Sequence, residues 1–301
     1  MHVPHRPIDQ QVIVITGATS GIGLCTALLA AERGAKVVLA ARSAGTLDAV
    51  AEQIRFDGGE AVVVAADVGV RADVARIAET AVERFGGVDT WVNNAGVSVY
   101  GRLDEVSEED SRRLFDTNFW GVVNGSLEAL ALLRRRGGAL INIGSEVCES
   151  VLPLQGMYST SKHAVKGFTD ALRVEVEQID RAPVSITLIQ PAAVNTPYPQ
   201  HARNYMDREP KLPSRMLDPH RVAEAILKAA VDGGRDVKVG AMAYMNTTMA
   251  RLLPRVSDLM SARRVDQQQA DVEPQFPQGA LHRPHDTGRI YGSVPFTPPD
   301  A

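Results

Sequence analysis

Tyr158 and Lys162 stand four residues apart in Gly156-Met157-Tyr158-Ser159-Thr160-Ser161-Lys162-His163. Small and then apolar residues continue to Leu172 and Val176, which reads as a long helix. Positions i and i+4 of a helix share one face. A free phenol loses its proton near pH ~10. An ammonium one turn away favours the phenolate and pulls that value down. Such a pair can give a proton to, or take one from, the oxygen of a carbonyl or alcohol. The spacing alone is weak evidence, because a tyrosine and a solvated lysine on any helix surface look the same.

The elements that would position the pair follow a pattern. Val12-Ile13-Val14-Ile15-Thr16 is a β-branched apolar run, as expected of a strand buried on both faces. It leads into Gly17-Ala18-Thr19-Ser20-Gly21-Ile22-Gly23, and a helical pattern follows to Arg33, closed by Gly34. Strand, glycine turn and helix open a dinucleotide-binding unit. There the helix N-terminus holds a pyrophosphate, and Gly17, Thr19, Ser20, Gly21, Ile22 and Gly23 are the residues assigned to it. The glycine spacing is not Gly-x-Gly-x-x-Gly. The plainer alternative is an ordinary strand-to-helix turn, which rarely needs three glycines.

The second strand, Lys36 to Ala41, ends where an adenosine ribose would lie. An acid at that place selects NAD. This chain has Ala40-Ala41 followed by Arg42-Ser43. A guanidinium recognises phosphate through its planar fork. The expected cofactor is therefore NADP(H) rather than NAD(H), the alternative being a solvated loop arginine. The third strand ends at Asp67-Val68, where Asp67 is either an acceptor for the adenine amino group or the N-cap of the helix from Arg71. The fourth ends in Asn93-Asn94-Ala95-Gly96 and the fifth, Ala139 to Ile143, in Gly144-Ser145. Strand C-terminal ends are where open α/β sheets bind ligands.

Ser107-Glu108-Glu109-Asp110 reads as the start of a helix in which Asn118 falls between apolar Phe115 and Val122, favouring a buried role. A sixth strand, Val184 to Gln190, ends at Pro191-Ala192-Ala193-Val194-Asn195-Thr196. The irregular stretch from Tyr198 to Leu217 reads as a lid over a substrate. Asp218-Pro219 caps a further helix, and Asp236 to Val239 is a last strand. Alternating strands and helices predict one Rossmann-like domain over residues 1–240, a doubly wound parallel sheet in a three-layer α/β/α arrangement.

The bulk numbers narrow the classes. The chain has 301 residues, 45% hydrophobic and 23% charged, with a net charge of −4. That balance gives no support for nucleic-acid binding. Two cysteines, Cys25 and Cys148, without metal-ligand spacing indicate neither a disulfide framework nor a zinc site. The polar start and the lack of a long apolar run imply a cytoplasmic protein. Residues 241–301 form an extension. Met242, Met245, Met249, Leu252, Leu253, Val256, Leu259 and Met260 make an apolar helical stripe interrupted at Pro254. It is expected to pack on the core and wall the substrate site; the sharper alternative is a methionine-rich adaptable surface for an apolar substrate, a partner or peripheral membrane contact. From Asp266 on, the text reads as an irregular or disordered tail, and His282-Arg283-Pro284-His285 as solvated rather than metal-binding.

Thr16-Gly17-x-x-x-Gly21-x-Gly23, Asp67, Asn93-Asn94-Ala95-Gly96, Asn118, Ser145, Tyr158-x-x-x-Lys162 and the Pro191 segment with Thr196 together resemble the short-chain dehydrogenase/reductase family, over about residues 10–240. The resemblance implies roles. Tyr158 would be the acid/base, with Lys162 lowering its pKa and binding the nicotinamide ribose. Ser145 would position the substrate oxygen, and Asn118 would hold a water in a proton relay. Asp67, Val68, Asn94, Ala95 and Gly96, with Pro191, Val194 and Thr196, would complete the cofactor site. The implied activity interconverts a carbonyl and an alcohol on a small, hydrophobic substrate, running as a reductase in a homodimer or homotetramer. A dinucleotide-binding sensor or scaffold without turnover is the alternative. One departure stands out: the family commonly has glycine after the proline, where this chain has Ala192-Ala193, and alanine takes positive φ less cheaply.

Overall fold

The five residues Val12–Thr16 are all buried, as an apolar strand without a polar face requires. In the computed structural model, which describes residues 5–213, 215–285 and 288–292, this strand (β1) lies within a seven-stranded sheet. The others are β2 (Lys36–Ala41), β3 (Glu60–Ala65), β4 (Thr90–Asn93), β5 (Gly138–Ile143), β6 (Val184–Pro191) and β7 (Asp236–Val239). Every pairing is parallel, and the order is β3-β2-β1-β4-β5-β6-β7. The order reverses between β1 and β4, which opens the crevice where doubly wound sheets take ligands. The expected Rossmann-like three-layer fold is the one present.

Side-chain alternation along β1 builds both layers. Ile13 and Ile15 join the apolar cluster shared with α1 (Gly21–Glu32), α2 (Ala44–Phe56) and α7 (Pro219–Asp232). Val12 and Val14 join the cluster shared with α3 (Arg71–Phe85) and α5 (Gly121–Arg136). Between α4 (Glu108–Phe115) and α5 the chain makes a π turn, Asp116–Trp120, with Asn118 in it. Such a bulge breaks the regular ladder and redirects side chains. Below it a buried polar network crosses the sheet: Asn93 Nδ2 donates to Asn142 Oδ1 (2.9 Å), and Trp91 Nε1 to Asn93 Oδ1 (2.8 Å). The helix carrying Tyr158, α6 (Gly156–Arg173), runs on into a second π turn, Val174–Ile179.

The extension breaks into α8 (Ala241–Leu252) and α9 (Pro254–Ala262) at the expected proline. Its apolar stripe does not bury as expected. The inward side carries small and polar residues, Ala243, Asn246, Thr247 and Ser261, whereas Leu252, Leu253, Val256 and Leu259 are exposed. Two short helices touching the body along one edge cannot cover a stripe this wide. Among the described residues no helix is long and apolar enough to cross a membrane.

The tail is irregular, as expected, and His282, Arg283 and Pro284 are exposed, but two points anchor it to the body. Leu281 is fully buried with Val97, Val99 and Leu114, and His282 Nε2 is hydrogen-bonded to Asp110 Oδ1 at 2.7 Å. The stretch 293–301, also read as irregular tail, lies outside the described residues.

One packing constraint gives a test. A Cβ on Gly125 would stand 2.0 Å from Asn93 Oδ1, which the Trp91 and Asn142 bonds hold in place. Gly125→Ala is expected to cost about 1–3 kcal/mol, read as a lower urea midpoint with an unchanged slope. An unaltered midpoint would show that the polar network yields.

Candidate active site

The cofactor end is built by close backbone approach. Gly17 has φ 68°, and a Cβ there would come 2.8 Å from the Ala95 Cα. A Cβ on Gly23 would come 2.1 Å from the Gly17 carbonyl oxygen. Thr16 and Asn94 lock this junction. Thr16 Oγ1 accepts from the Asn94 and Ala95 amides (3.0 and 3.1 Å), and Asn94 Nδ2 donates to Thr16 O (2.9 Å). Ser20 is the N-cap of α1, but its side chain makes no capping bond. The Gly21 amide donates to Arg289 O at 2.9 Å, so the Ser20 hydroxyl and the amides that follow Gly21 are what this helix start can offer an anion.

These residues line one continuous cavity of about 470 Å³. Gly17, Thr19, Ser20, Gly21, Ile22, Arg42, Ser43, Asp67, Val68, Asn94, Ala95 and Gly96 line it with Ser145, Tyr158, Lys162, Pro191, Val194 and Thr196. Gly23 and Asn118 act from behind the wall. A glycine cradle and a helix N-terminus at the wall of one cavity fit a dinucleotide.

Asp67 does not cap α3, whose N-cap is Val70. Its Oδ1 accepts from Gly69 N (3.0 Å) and its Oδ2 from Arg113 Nη2 (2.5 Å). Arg42 is not solvated: Nη1 donates to Leu281 O at 2.9 Å, and Nη2 to Ala280 O. Burial, reinforced by Arg113, pushes the Arg42 pKa down.

At the catalytic end, Tyr158 and Lys162 share a helix face as expected. The Lys162 ammonium lies 5.7 Å from the Tyr158 ring centroid and donates to Ile143 O at 2.8 Å. The electrostatic expectation is corrected in sign. Burial raises the Tyr158 pKa well above its ordinary value, against lowering hydrogen bonds from Tyr198 and Ser145. Burial likewise lowers that of Lys162. Burial thus opposes the charged form of each group.

Asn118 is fully buried, and its amide is committed: Oδ1 accepts from Val97 N (2.8 Å), and Nδ2 donates to Val97 O (2.9 Å) and Ser161 Oγ (3.2 Å). One donor is therefore used on the β4–α4 connection and the other on Ser161 of α6. Ala192 and Ala193 need no positive φ; among non-glycine residues only Leu154 and Arg181 adopt one in the described chain. The departure from proline-glycine costs no backbone strain.

Several lining residues were not singled out from sequence. The Tyr198 ring packs edge-on to Tyr158 at 5.5 Å, and its hydroxyl donates to Gln155 Oε1 (2.9 Å) and lies 2.7 Å from Ser98 Oγ. Its place just after Thr196-Pro197 was the available signal. Glu146 follows Ser145, and its Oε2 accepts from Asn246 Nδ2 of α8 at 2.9 Å. Burial raises the Glu146 pKa. The Thr117 hydroxyl is buried at the cavity wall without a hydrogen-bond partner among the described residues. The presumed lid contributes Tyr198, Lys211 and Leu212, and the extension contributes Met242, Asn246 and Arg264.

Comparison with known proteins places this geometry. A family model described as short chain dehydrogenase matches residues 11–207. The uncharacterized oxidoreductase YxnA of Bacillus subtilis is 45% identical over 276 residues, 91% of this chain and 77% of its own. The uncharacterized oxidoreductase Lmo0432 of Listeria monocytogenes is 35% identical over 239 residues, 77% of this chain and 94% of its own. Among solved structures, an alcohol dehydrogenase from the archaeon Thermococcus sibiricus, complexed with 5-hydroxy-NADP, is similar with a TM-score of 0.66 and 28% identity. The match covers 76% of this chain and 94% of that one.

Both thiols are buried, and burial pushes each up to about 11. The thiolate is the reactive form. Neither Cys25 nor Cys148 is expected to react with an aromatic disulfide reagent at pH 8 until the protein is unfolded. Rapid titration of one thiol in the native protein would contradict that environment.

Proposed function

The chain belongs to the short-chain dehydrogenase/reductase family of oxidoreductases, and from that premise we propose that it is an NADP(H)-dependent enzyme interconverting a carbonyl and an alcohol, running as a reductase. One observation carries the reading. Ser145, Tyr158 and Lys162 line the same cavity as the glycine cradle. The nicotinamide, when bound, supplies or accepts the hydride. The chain supplies orientation and a proton. The Ser145 hydroxyl faces the cavity and would donate to the substrate oxygen, stabilising the charge that develops there. Tyr158, held protonated by burial, gives its proton to that oxygen as the carbon is reduced. Lys162, fixed by Ile143 O, holds its ammonium beside the phenol and keeps a cation close to the phenolate left behind.

NADP(H) is favoured over NAD(H) by the absence of a carboxylate at the end of β2 and by the guanidinium of Arg42 there. A hydrophobic small-molecule carbonyl is supported by Leu152, Leu212 and Met242 in the wall. Exposed Trp120, Leu127, Val174 and Ile179 support self-association as a homodimer or homotetramer.

Tyr158→Phe is expected to lower carbonyl-dependent NADPH oxidation by about 10²–10⁴-fold while dinucleotide affinity stays unchanged; full activity in that variant refutes the assignment. Arg42→Asp is expected to lower kcat/KM for NADPH by about tenfold or more relative to NADH. An unchanged ratio of the two removes Arg42 from cofactor selection.

A further inference from the structure

The tail does more than cover a surface. It tracks across the mouth of the cofactor cleft, and its contacts fall on elements that would hold a dinucleotide. Asn204 N donates to Pro277 O (2.8 Å), and Ala280 N to His201 O (2.7 Å). Leu281 fills an apolar socket beside Val97 and Leu114. Arg42 clasps the Ala280 and Leu281 carbonyls, and Arg113 Nε donates to Leu281 O at 3.3 Å. Farther on, Gly21 N, the first amide of α1, donates to Arg289 O at 2.9 Å. Tyr291 OH donates to Asp218 Oδ1 at 3.2 Å. The path thus runs from the Asp67 side, over the glycine turn, to the start of α7.

The tail takes the Gly21 amide and the Arg42 guanidinium and leaves a cavity of about 470 Å³ beside them. Ala280, Pro284 and His285 line the same cavity as the glycine turn and Tyr158. The His285 ring lies 5.4 Å from that of His201 and 5.7 Å from Phe276, and its Nδ1 is buried without a partner among the described residues. Arg42, Arg289 and His285 all bear on His201, and burial among them pushes it down to about 4. Buried polar atoms are normally satisfied. An unpartnered ring nitrogen within a group of basic side chains, at the wall of this cavity, suits an anionic oxygen.

We propose that residues 277–285 and 288–292 form a strap that belongs to the dinucleotide site: it closes over the bound cofactor, His285 donates to one of the cofactor's phosphates, and exchange requires the strap to lift. This rests on reading the cleft as an NADP(H) site, and it assigns to the C-terminal extension a cofactor role separate from substrate walling.

The test compares the full chain, a chain ending at Phe276, and the variants Leu281→Asp and His285→Ala. NADPH binding is followed by its fluorescence, and release by stopped-flow displacement with excess NADP⁺. The strap predicts release faster by about tenfold or more in the truncated chain and in Leu281→Asp. His285→Ala is expected to weaken NADPH binding by about tenfold with folding unchanged by circular dichroism. Should truncation fail to fold, the two point variants carry the test. Equal release rates in folded variants overturn the strap, as does tighter binding after truncation, which would make the tail a competitor. If the full chain binds neither NADPH nor NADH, the cofactor reading falls and the strap with it. Normal binding without a difference between variants strikes the strap alone.

Discussion

The site depends on one buried ammonium. Lys162 is 4% exposed, and a cation so deeply placed must be met by oxygen or π electrons. It meets the carbonyl of Ile143, the last residue of β5, and the face of Tyr158. The first of these contacts ties the strand end to α6. Ser145 lies two residues beyond Ile143, so the same bond that satisfies the lysine sets the distance between the serine hydroxyl and the phenol. Behind α6, Ser161 receives a hydrogen bond from Asn118, which in turn grips both backbone groups of Val97. The catalytic end is thereby fastened to three elements, and the π turn at 116–120 is the distortion that lets Asn118 reach inward.

Much of this was legible in the sequence because parallel strands buried on both faces write themselves as unbroken apolar runs. Val12–Thr16 and Ala139–Ile143 could be placed to within a residue, and so could the loops at their C-terminal ends. The glycine turn was legible because the three glycines have a steric reason visible in their types: Gly23 lies too near the Gly17 carbonyl for any side chain. What was not legible depends on depth or on distance along the chain. The sign of the Tyr158 shift was misjudged because a helical spacing gives the lysine's proximity but not the burial that opposes it. Arg42 was read at the right edge of the sheet, yet its carbonyl partners lie about 240 residues away. Tyr198 and Glu146 sat beside recognised residues but carry no spacing rule of their own.

The extension shows the same limit in energetic form. Its helical stripe was correctly periodic, yet periodicity does not say which face meets the body, and here Asn246 and Thr247 do. Asn246 bonds Glu146 beside Ser145, and Arg264 Nη2 donates back to Asn246 at 3.0 Å. A polar relay thus connects α8 and the residues after α9 to the floor of the substrate end. An apolar contact there would have been non-directional; hydrogen bonds fix the wall's position and leave the apolar stripe free for other contacts.

The tail's hold on the body is of a size that permits both order and opening. Full burial of one leucine contributes about 1.5–3 kcal/mol, and each neutral hydrogen bond about 0.5–1.5 kcal/mol net. Against these stands the entropy of fixing each residue, about 1–2 kcal/mol for the backbone alone. A strap held by Leu281 and a handful of carbonyl contacts has little to set against that cost, so its hold is sensitive to anything placed beneath it. An anion meeting His285 adds a contact available only in the closed arrangement, so binding and closure favour each other by the same free energy. The guanidinium of Arg42 stands at the centre of this balance, because it lines the cleft while holding the strap's backbone.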